Sequence, residues 1–211
     1  KGASFRSDGV FTIRGDSKNA ARGEFSLEKT ATAFALKNLD IEDELTASLK
    51  IDLGETRELS GVLELNGFDI NRLSKPDSSL AGKINSTMRL QGTLADPMFN
   101  GVIDVDDLSY RDVGPYESLI HFDYDHSQFN LEKFTLNFGK STLLYAHGQY
   151  DGTCDAIDFS IKGAGFDAGQ ILGAAGKDSL ISGAALIDLV ISGTTVAPVL
   201  QGIVAIKEGR L

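Results

Sequence analysis

GKINSTMRLQGTLADPMFNGVIDV, Gly82 to Val105, decides the fold, because the chain writes it a second time as GAALIDLVISGTTVAPVLQGIVAI, Gly183 to Ile206. At a constant offset of about one hundred residues and with no gap, Gly82 meets Gly183, Gly92 meets Gly193, Thr93 meets Thr194, Pro97 meets Pro198 and Gly101 meets Gly202. The apolar positions coincide as well. Each copy reads as two strands about a Gly-Thr-x-x-x-Pro connection. By the two-residue period of a strand, Ile84, Met88 and Leu90 share one face and Asn85, Thr87, Arg89 and Gln91 the other. Past the connection, Phe99, Ile103 and Val105 stand against Asn100, Val102, Asp104 and Asp106. In the second copy Ile187, Leu189 and Ile191 precede the connection, and Leu200, Val204 and Ile206 follow it. Glycine suits a backbone conformation closed to residues with a Cβ, and proline fixes φ and removes a ladder donor, so each connection should end its strand cleanly. A hairpin and a strand-to-strand crossover both fit.

Outward from this pair, the same texture continues. Val10 to Ile13, Phe25 to Leu27, Phe34 to Leu36, Leu49 to Leu53 and Val62 to Leu65 are short alternating runs parted by Gly, Asp, Ser and Asn, which read as a meander. Gly67-Phe68-Asp69 then opens one helical turn, Ile70 to Leu73, capped by Asp69 and ended by Lys75-Pro76. The same words return at Gly165-Phe166-Asp167, followed by Ile171-Leu172. In between, Ile120, Phe122 and Tyr124 alternate with His121, Asp123 and Asp125. Phe134, Leu136 and Phe138 alternate with Thr135 and Asn137, and Ile157, Phe159 and Ile161 with Asp158, Ser160 and Lys162. A fainter echo links Phe25-Ser26-Leu27-Glu28-Lys29 to Phe129-Asn130-Leu131-Glu132-Lys133. Sustained helical periodicity is missing, and Ala174 to Ser182 is too rich in Gly and Ser to supply it.

The expected fold is therefore all-β with minor short helical turns. Residues 1–66 are the strand meander of a first repeat unit, 67–107 its Gly-Thr-Pro strand pair, and 108–211 the second unit, all in one continuous sheet. A closed barrel, a two-sheet sandwich or an elongated, folded-over sheet would each cover the apolar faces. Repeats stack along one axis, which favours the third. Because the pattern is under way at both ends, the chain is read as a piece of a longer protein.

Composition bounds the function. A net charge of −10 and a pI near 4.7 argue against nucleic-acid binding and against broad docking on anionic lipid, both of which need clustered Lys and Arg. Cys154 is the lone cysteine, so no internal disulfide framework exists. No apolar run reaches the roughly 18 residues of a membrane span. Catalytic patterns are equally sparse, and the chain is not read as an enzyme. His121, Asp123, Asp125 and His126 form the densest polar cluster, read as a solvated face rather than as a metal site. Asp104, Asp106 and Asp107 lack the Gly and distal Glu of a calcium loop. GAGFDAG, from Gly163, lacks the strand-to-helix context of a dinucleotide site. No cofactor is expected.

A strand, Gly-Thr, a proline, an apolar residue, a polar residue, Gly and another alternating strand resembles the repeat of the TamB family, within the wider AsmA-like group of bacterial envelope proteins. The resemblance covers Gly61 to Leu211 by pattern and the earlier residues by texture only. It implies an elongated, curved sheet bent into a taco-like trough with an apolar interior, in a periplasmic protein anchored in the inner membrane by a segment outside this chain. It further implies a segment of a bridge conducting phospholipids between inner and outer membranes, or alternatively a scaffold for outer-membrane protein assembly or secretion beside a barrel-type outer-membrane partner. A glycan-binding adhesin would want aromatic platforms, and the chain has no Trp and few Tyr. The lining expected to meet acyl chains is the set of alternating apolar residues already named, Ile84 to Ile206.

Overall fold

The computed structural model describes residues 4–14, 20–42, 44–72, 80–110, 113–167 and 182–210. They form β1 (Phe5–Arg14), β2 (Ala20–Lys29), β3 (Ala33–Ile41), β4 (Leu45–Asp52), β5 (Leu59–Asp69), β6 (Leu80–Gly92), β7 (Pro97–Tyr110), β8 (Val113–Asp125), β9 (Gln128–Phe138), β10 (Ser141–Asp151), β11 (Ala156–Asp167), β12 (Ser182–Thr194) and β13 (Pro198–Arg210). One 3-10 turn, Ile70–Arg72, interrupts them. All thirteen strands belong to a single antiparallel sheet, each hydrogen-bonded to its neighbours in sequence. The sheet is open, with β1 and β13 as its edges, so neither a closed barrel nor a pair of sheets describes it.

Both Gly-Thr-x-x-x-Pro connections are hairpins, and the chemistry of each residue is visible in them. The Thr93 N–H donates to the Asp96 carbonyl at 3.0 Å, and the Asp96 N–H returns to Thr93 Oγ1 at 3.1 Å. In the second hairpin the Thr194 N–H meets the Ala197 carbonyl at 3.4 Å and the Ala197 N–H meets Thr194 Oγ1 at 3.1 Å. Gly92 and Gly193 lie at φ +95° and +97°, and a Cβ there would stand 2.5 and 2.7 Å from the Asp96 and Ala197 carbonyl oxygens. Glycine is needed on both counts. Since Thr194 and Ala197 form a hydrogen-bonded pair, the next pair, Gly193 with Pro198, is a non-hydrogen-bonded one in which proline forfeits no ladder bond.

The turn after Gly67-Phe68-Asp69 also forms, with the Asn71 N–H donating to Asp69 Oδ1 at 2.9 Å. The Lys75-Pro76 stop and Ile171-Leu172 lie outside the described residues. The echoing segments Phe25–Lys29 and Phe129–Lys133 both lie in strands, β2 and β9, and each ladder has a register shift there, at different places. Leu131 pairs with Gly148 and Phe134 with Ala146, so Glu132 and Lys133 together oppose His147 in a β-bulge, whereas Glu28 and Lys29 pair regularly with Ala35 and Phe34.

By their contacts the residues gather into two compact units whose border crosses β6, β7 and β8 instead of falling between strands: residues 1–68, 84–102 and 124–126, and residues 69–83, 103–123 and 127–211. In the second unit Phe166 and Ala185 are buried, with Leu136, Leu143, Leu144 and Ile187 packed around them. Leu59 is buried in the first. Among the described residues no large side chain is fully buried, and all the strands belong to the one sheet.

Candidate functional site

Cross-strand register assembles the second unit's apolar residues into rows. Leu136, Leu144, Gly163, Ile187 and Val204 lie side by side across β9 to β13, and the next row is Phe134, Ala146, Ile161, Leu189 and Gly202. Then come Leu131, Gly148, Phe159, Ile191 and Leu200, followed by Phe129, Tyr150, Ile157, Gly193 and Pro198. No charged side chain enters these four rows. On the other face Thr135, Tyr145, Lys162, Asp188 and Ile203 form one row, and Asn130, Gln149, Asp158, Ser192 and Val199 another. Lys162 and Asp188 are directly opposed there, Nζ to Oδ2 3.9 Å.

The first unit has the same one-sidedness. Gly23, Ile41, Leu45 and Leu65 align across β2 to β5, and Gly9, Phe25, Leu39, Ala47 and Leu63, and Ser7, Leu27, Leu36, Leu49 and Gly61, align across β1 to β5. Along β6 and β7 the alternation is retained: Ile84, Met88, Leu90, Phe99 and Ile103 are half-buried and Val105 buried, while Thr87, Arg89, Gln91, Asn100 and Asp104 are exposed.

The expected lining thus falls into three groups. Ile120, Phe122, Tyr124, Phe134, Leu136, Ile157, Phe159, Ile161, Ile187, Leu189 and Ile191 are half-buried, like those of β6 and β7. Leu200, Val204 and Ile206 are more open, at 62%, 64% and 40% exposure, because β13 has a neighbour on one side only. Phe138 is 53% exposed at the end of β9, its ring 5.8 Å from that of Tyr116. Rings also stack between adjacent strands: Phe99 on Tyr124 with centroids 4.7 Å apart, and Phe122 on Phe129 at 6.2 Å.

Several members of the face escape simple alternation. Phe129 and Leu131 join Phe134 and Leu136 only because the Glu132-Lys133 bulge absorbs the odd spacing, and Leu36 joins Leu39 across a second register shift. An apolar-to-apolar step of three inside an otherwise alternating run was the available signal. The rows also contain glycines beneath rings. A Cβ on Gly9 would lie 2.6 Å from Phe25 Cζ, one on Gly148 2.5 Å from Phe159 Cδ1, and one on Gly163 2.7 Å from Phe166 Cε2, so each ring lies over the bare backbone beside it. Ser86 is a different exception: it lies in line with Ile84 and Met88, buried, with no partner for its Oγ among the described residues.

The polar cluster takes shape as a turn. His126 and Ser127 close the β8–β9 hairpin at φ +47° and +65°, with His126 Nε2 3.2 Å from Asp96 Oδ2 and its Nδ1 against Asp125. Asp123 accepts from Asn130 Nδ2 at 3.1 Å. Among the described residues no set of three His, Cys, Asp or Glu side chains converges on a metal position, and no helix is long and apolar enough to cross a membrane. Three carboxyls are held below their ordinary range: Asp8 by a hydrogen bond from Ser26 and by Arg6, Glu28 by Lys37, and Asp151 by Thr153.

No family model matches the chain, and neither a curated protein nor a solved structure is significantly similar to it.

Proposed function

We propose that the chain is a segment of a periplasm-spanning bridge that conducts phospholipids between inner and outer membranes, its repeated hairpins lining an apolar trough along which acyl chains move. The observation that carries this reading is the set of charge-free rows across β9 to β13, whose large side chains are half-buried or exposed rather than sealed into a core. Each methylene removed from water onto such a face gains about 0.8 kcal/mol, so shielding of this kind makes acyl transit through an aqueous compartment feasible without strong specific contacts. Charged headgroups stay in water at the rim. The protein binds and passes lipid without transforming it. An inner-membrane anchor and a barrel-type outer-membrane partner belong, on this reading, to the full-length protein.

The test is native isolation from a bacterial periplasm, followed by solvent extraction and mass spectrometry. Phospholipid is expected with the wild-type chain and with Asp188→Asn, and much less with a folded Leu189→Asp variant. A lipid-free wild-type chain, or equal lipid on Leu189→Asp and Asp188→Asn, would reject conduction along this face.

A second reading, a scaffold for outer-membrane protein assembly or secretion acting on client β-strands, would hold those strands on the same apolar rows. Site-specific crosslinking from Leu189 to a nascent barrel strand in cells tests it.

A further inference from the structure

Where the end of β5, the start of β6, the end of β7 and the start of β8 come together, they enclose a pocket of about 500 Å³, within the size range of small-molecule sites. The described residues that line it all belong to the same compact unit as the charge-free rows. At Gly82 and Gly114 a Cβ would stand 3.0 Å from Ile70 Cδ1 and 2.8 Å from the Leu108 carbonyl oxygen, so both positions stay bare and the wall there is backbone. Asp69, Lys83 and Asp107 bring both signs of charge to this space. Lys83 and Asp107 are exposed, and among the described residues neither side chain makes a hydrogen bond or an ion pair. Asp69 Oδ1 accepts from the Asn71 N–H and from Asn71 Nδ2, at 2.9 Å each, which leaves Oδ2 open.

The hairpin itself does not call for these charges. In the second copy Gly183 repeats Gly82, but Ala184 stands where Lys83 does. Asp107 is left-handed at φ +53°, a conformation that glycine would adopt with less strain. Two carboxylates and an unpaired ammonium in one pocket suit a ligand that is itself a zwitterion. Its anionic group would face Lys83 and the Ser109 hydroxyl, and its amine would donate to Asp107 and to Asp69 Oδ2. A quaternary ammonium has no N–H to donate and is bound by aromatic cages, whereas no aromatic ring is among the described lining residues. An anion without an amine would meet the two carboxylates unopposed. We infer that this pocket is a site for a phosphate bearing a primary ammonium, the chemistry of an ethanolamine phospholipid headgroup. It lies at strand ends, where the reading above leaves headgroups in water. The inference rests on that reading for the acyl chains and on the pocket alone for the headgroup.

The probes are short-chain phosphatidylethanolamine, phosphatidylcholine and phosphatidylglycerol of equal acyl length, each kept below micelle formation and titrated calorimetrically against the whole chain, with free O-phosphoethanolamine alongside. The ethanolamine lipid is expected to bind at least about fivefold tighter than the other two, with amide chemical shifts moving at Gly82, Lys83 and Ser109. Lys83→Ala repeats what the second copy already carries, and Asp107→Asn removes the charge while keeping a residue tolerant of the left-handed conformation. Each should erase most of the preference. Equal affinity for the three lipids, or a preference that both variants keep, would overturn the proposal. Free O-phosphoethanolamine that binds as tightly as the lipid keeps the zwitterion site and rejects the lipid as its source. Because the three lipids share their tails, equal affinities beside lipid retention that still depends on Leu189 reject the pocket and keep conduction, whereas a headgroup preference in a chain that retains no lipid does the reverse.

Discussion

Met88 and Thr87 differ by one position and by the face they occupy. Met88 is half-buried on the apolar side and Thr87 exposed on the other. A carboxylate at 88 removes apolar contact and sits poorly hydrated, whereas at 87 it replaces one solvated group by another. Met88→Asp is expected to lose about 1–3 kcal/mol while staying folded, because water still reaches the face, and Thr87→Asp to stay within about 0.5 kcal/mol of wild type. Urea unfolding of both variants checks this, and outright unfolding of Met88→Asp would mean that the face is a sealed core. Ser86 should behave oppositely: Ser86→Ala discards a buried hydroxyl without a partner, so a gain of about 1 kcal/mol in the same measurement is expected. At the β8–β9 turn, replacing His126-Ser127 by Asn-Gly relieves two left-handed non-glycine residues and should raise stability by about 1 kcal/mol, less whatever the contacts to Asp96 and Asp125 contribute. Acid sensitivity is also decided here. The folded-state pKa values of Asp8, Glu28 and Asp151 lie below the ordinary 3.8 for Asp and 4.5 for Glu, so their contributions are present above those values and are lost as pH falls through the lowered ones. The three are exposed, which keeps each contribution small. Combined Asp8→Asn, Glu28→Gln and Asp151→Asn should flatten the fall of the urea midpoint below about pH 4 and leave the profile near pH 7 unchanged in slope.

Among the elements, the Gly-Thr-x-x-x-Pro hairpin is where sequence and structure meet most closely. Its glycine, threonine and proline each answer a local need, for backbone conformation, for an acceptor to an otherwise unpaired N–H, and for a strand start outside the ladder. Local needs of that kind are legible without a fold. Thr93→Val and Thr194→Val should therefore each cost about 1 kcal/mol in thermal unfolding, and a large difference between them would mean that the two turns are not equivalent. The alternating runs were legible for the same reason, and across β9 to β13 the register aligns Phe134, Ile161 and Leu189 in one row and Phe159, Ile191 and Leu200 in another. Less visible was anything that depends on a partner strand. The bulge at Glu132-Lys133 and the shift between Leu36 and Leu39 appear in the sequence only as broken alternation, so Phe129, Leu131 and Leu39 were missed. The high exposure of Leu200 and Val204 follows from β13 being an edge, which periodicity cannot reveal.

For the whole molecule, strand order equals chain order, and every ladder joins sequence neighbours. Contacts so local favour fast folding, and stability becomes a sum of nearest-neighbour terms rather than one cooperative block. Unfolding is accordingly expected to begin at the edges. Native-state hydrogen exchange should find β13 amides opening at lower free energy than those of β9 and β10, and a chain ended at Ala197 should keep the β9–β11 ladders intact. A single, fully coincident transition for all amides would contradict this. The order of strands keeps the apolar rows contiguous from β9 to β13.

Sequential order also has a mechanical side. A tension applied between β1 and β13 crosses every ladder in turn, so the ladders act as springs in series and their compliances add. Force along the hydrogen bonds, perpendicular to the strands, opens them one at a time from an end instead of shearing a whole ladder at once. The load at rupture is then that of the weakest ladder, however many strands are present. Held between two points that move apart, such a sheet would lengthen by releasing single strands at low force, and a released strand could zip back when the tension falls.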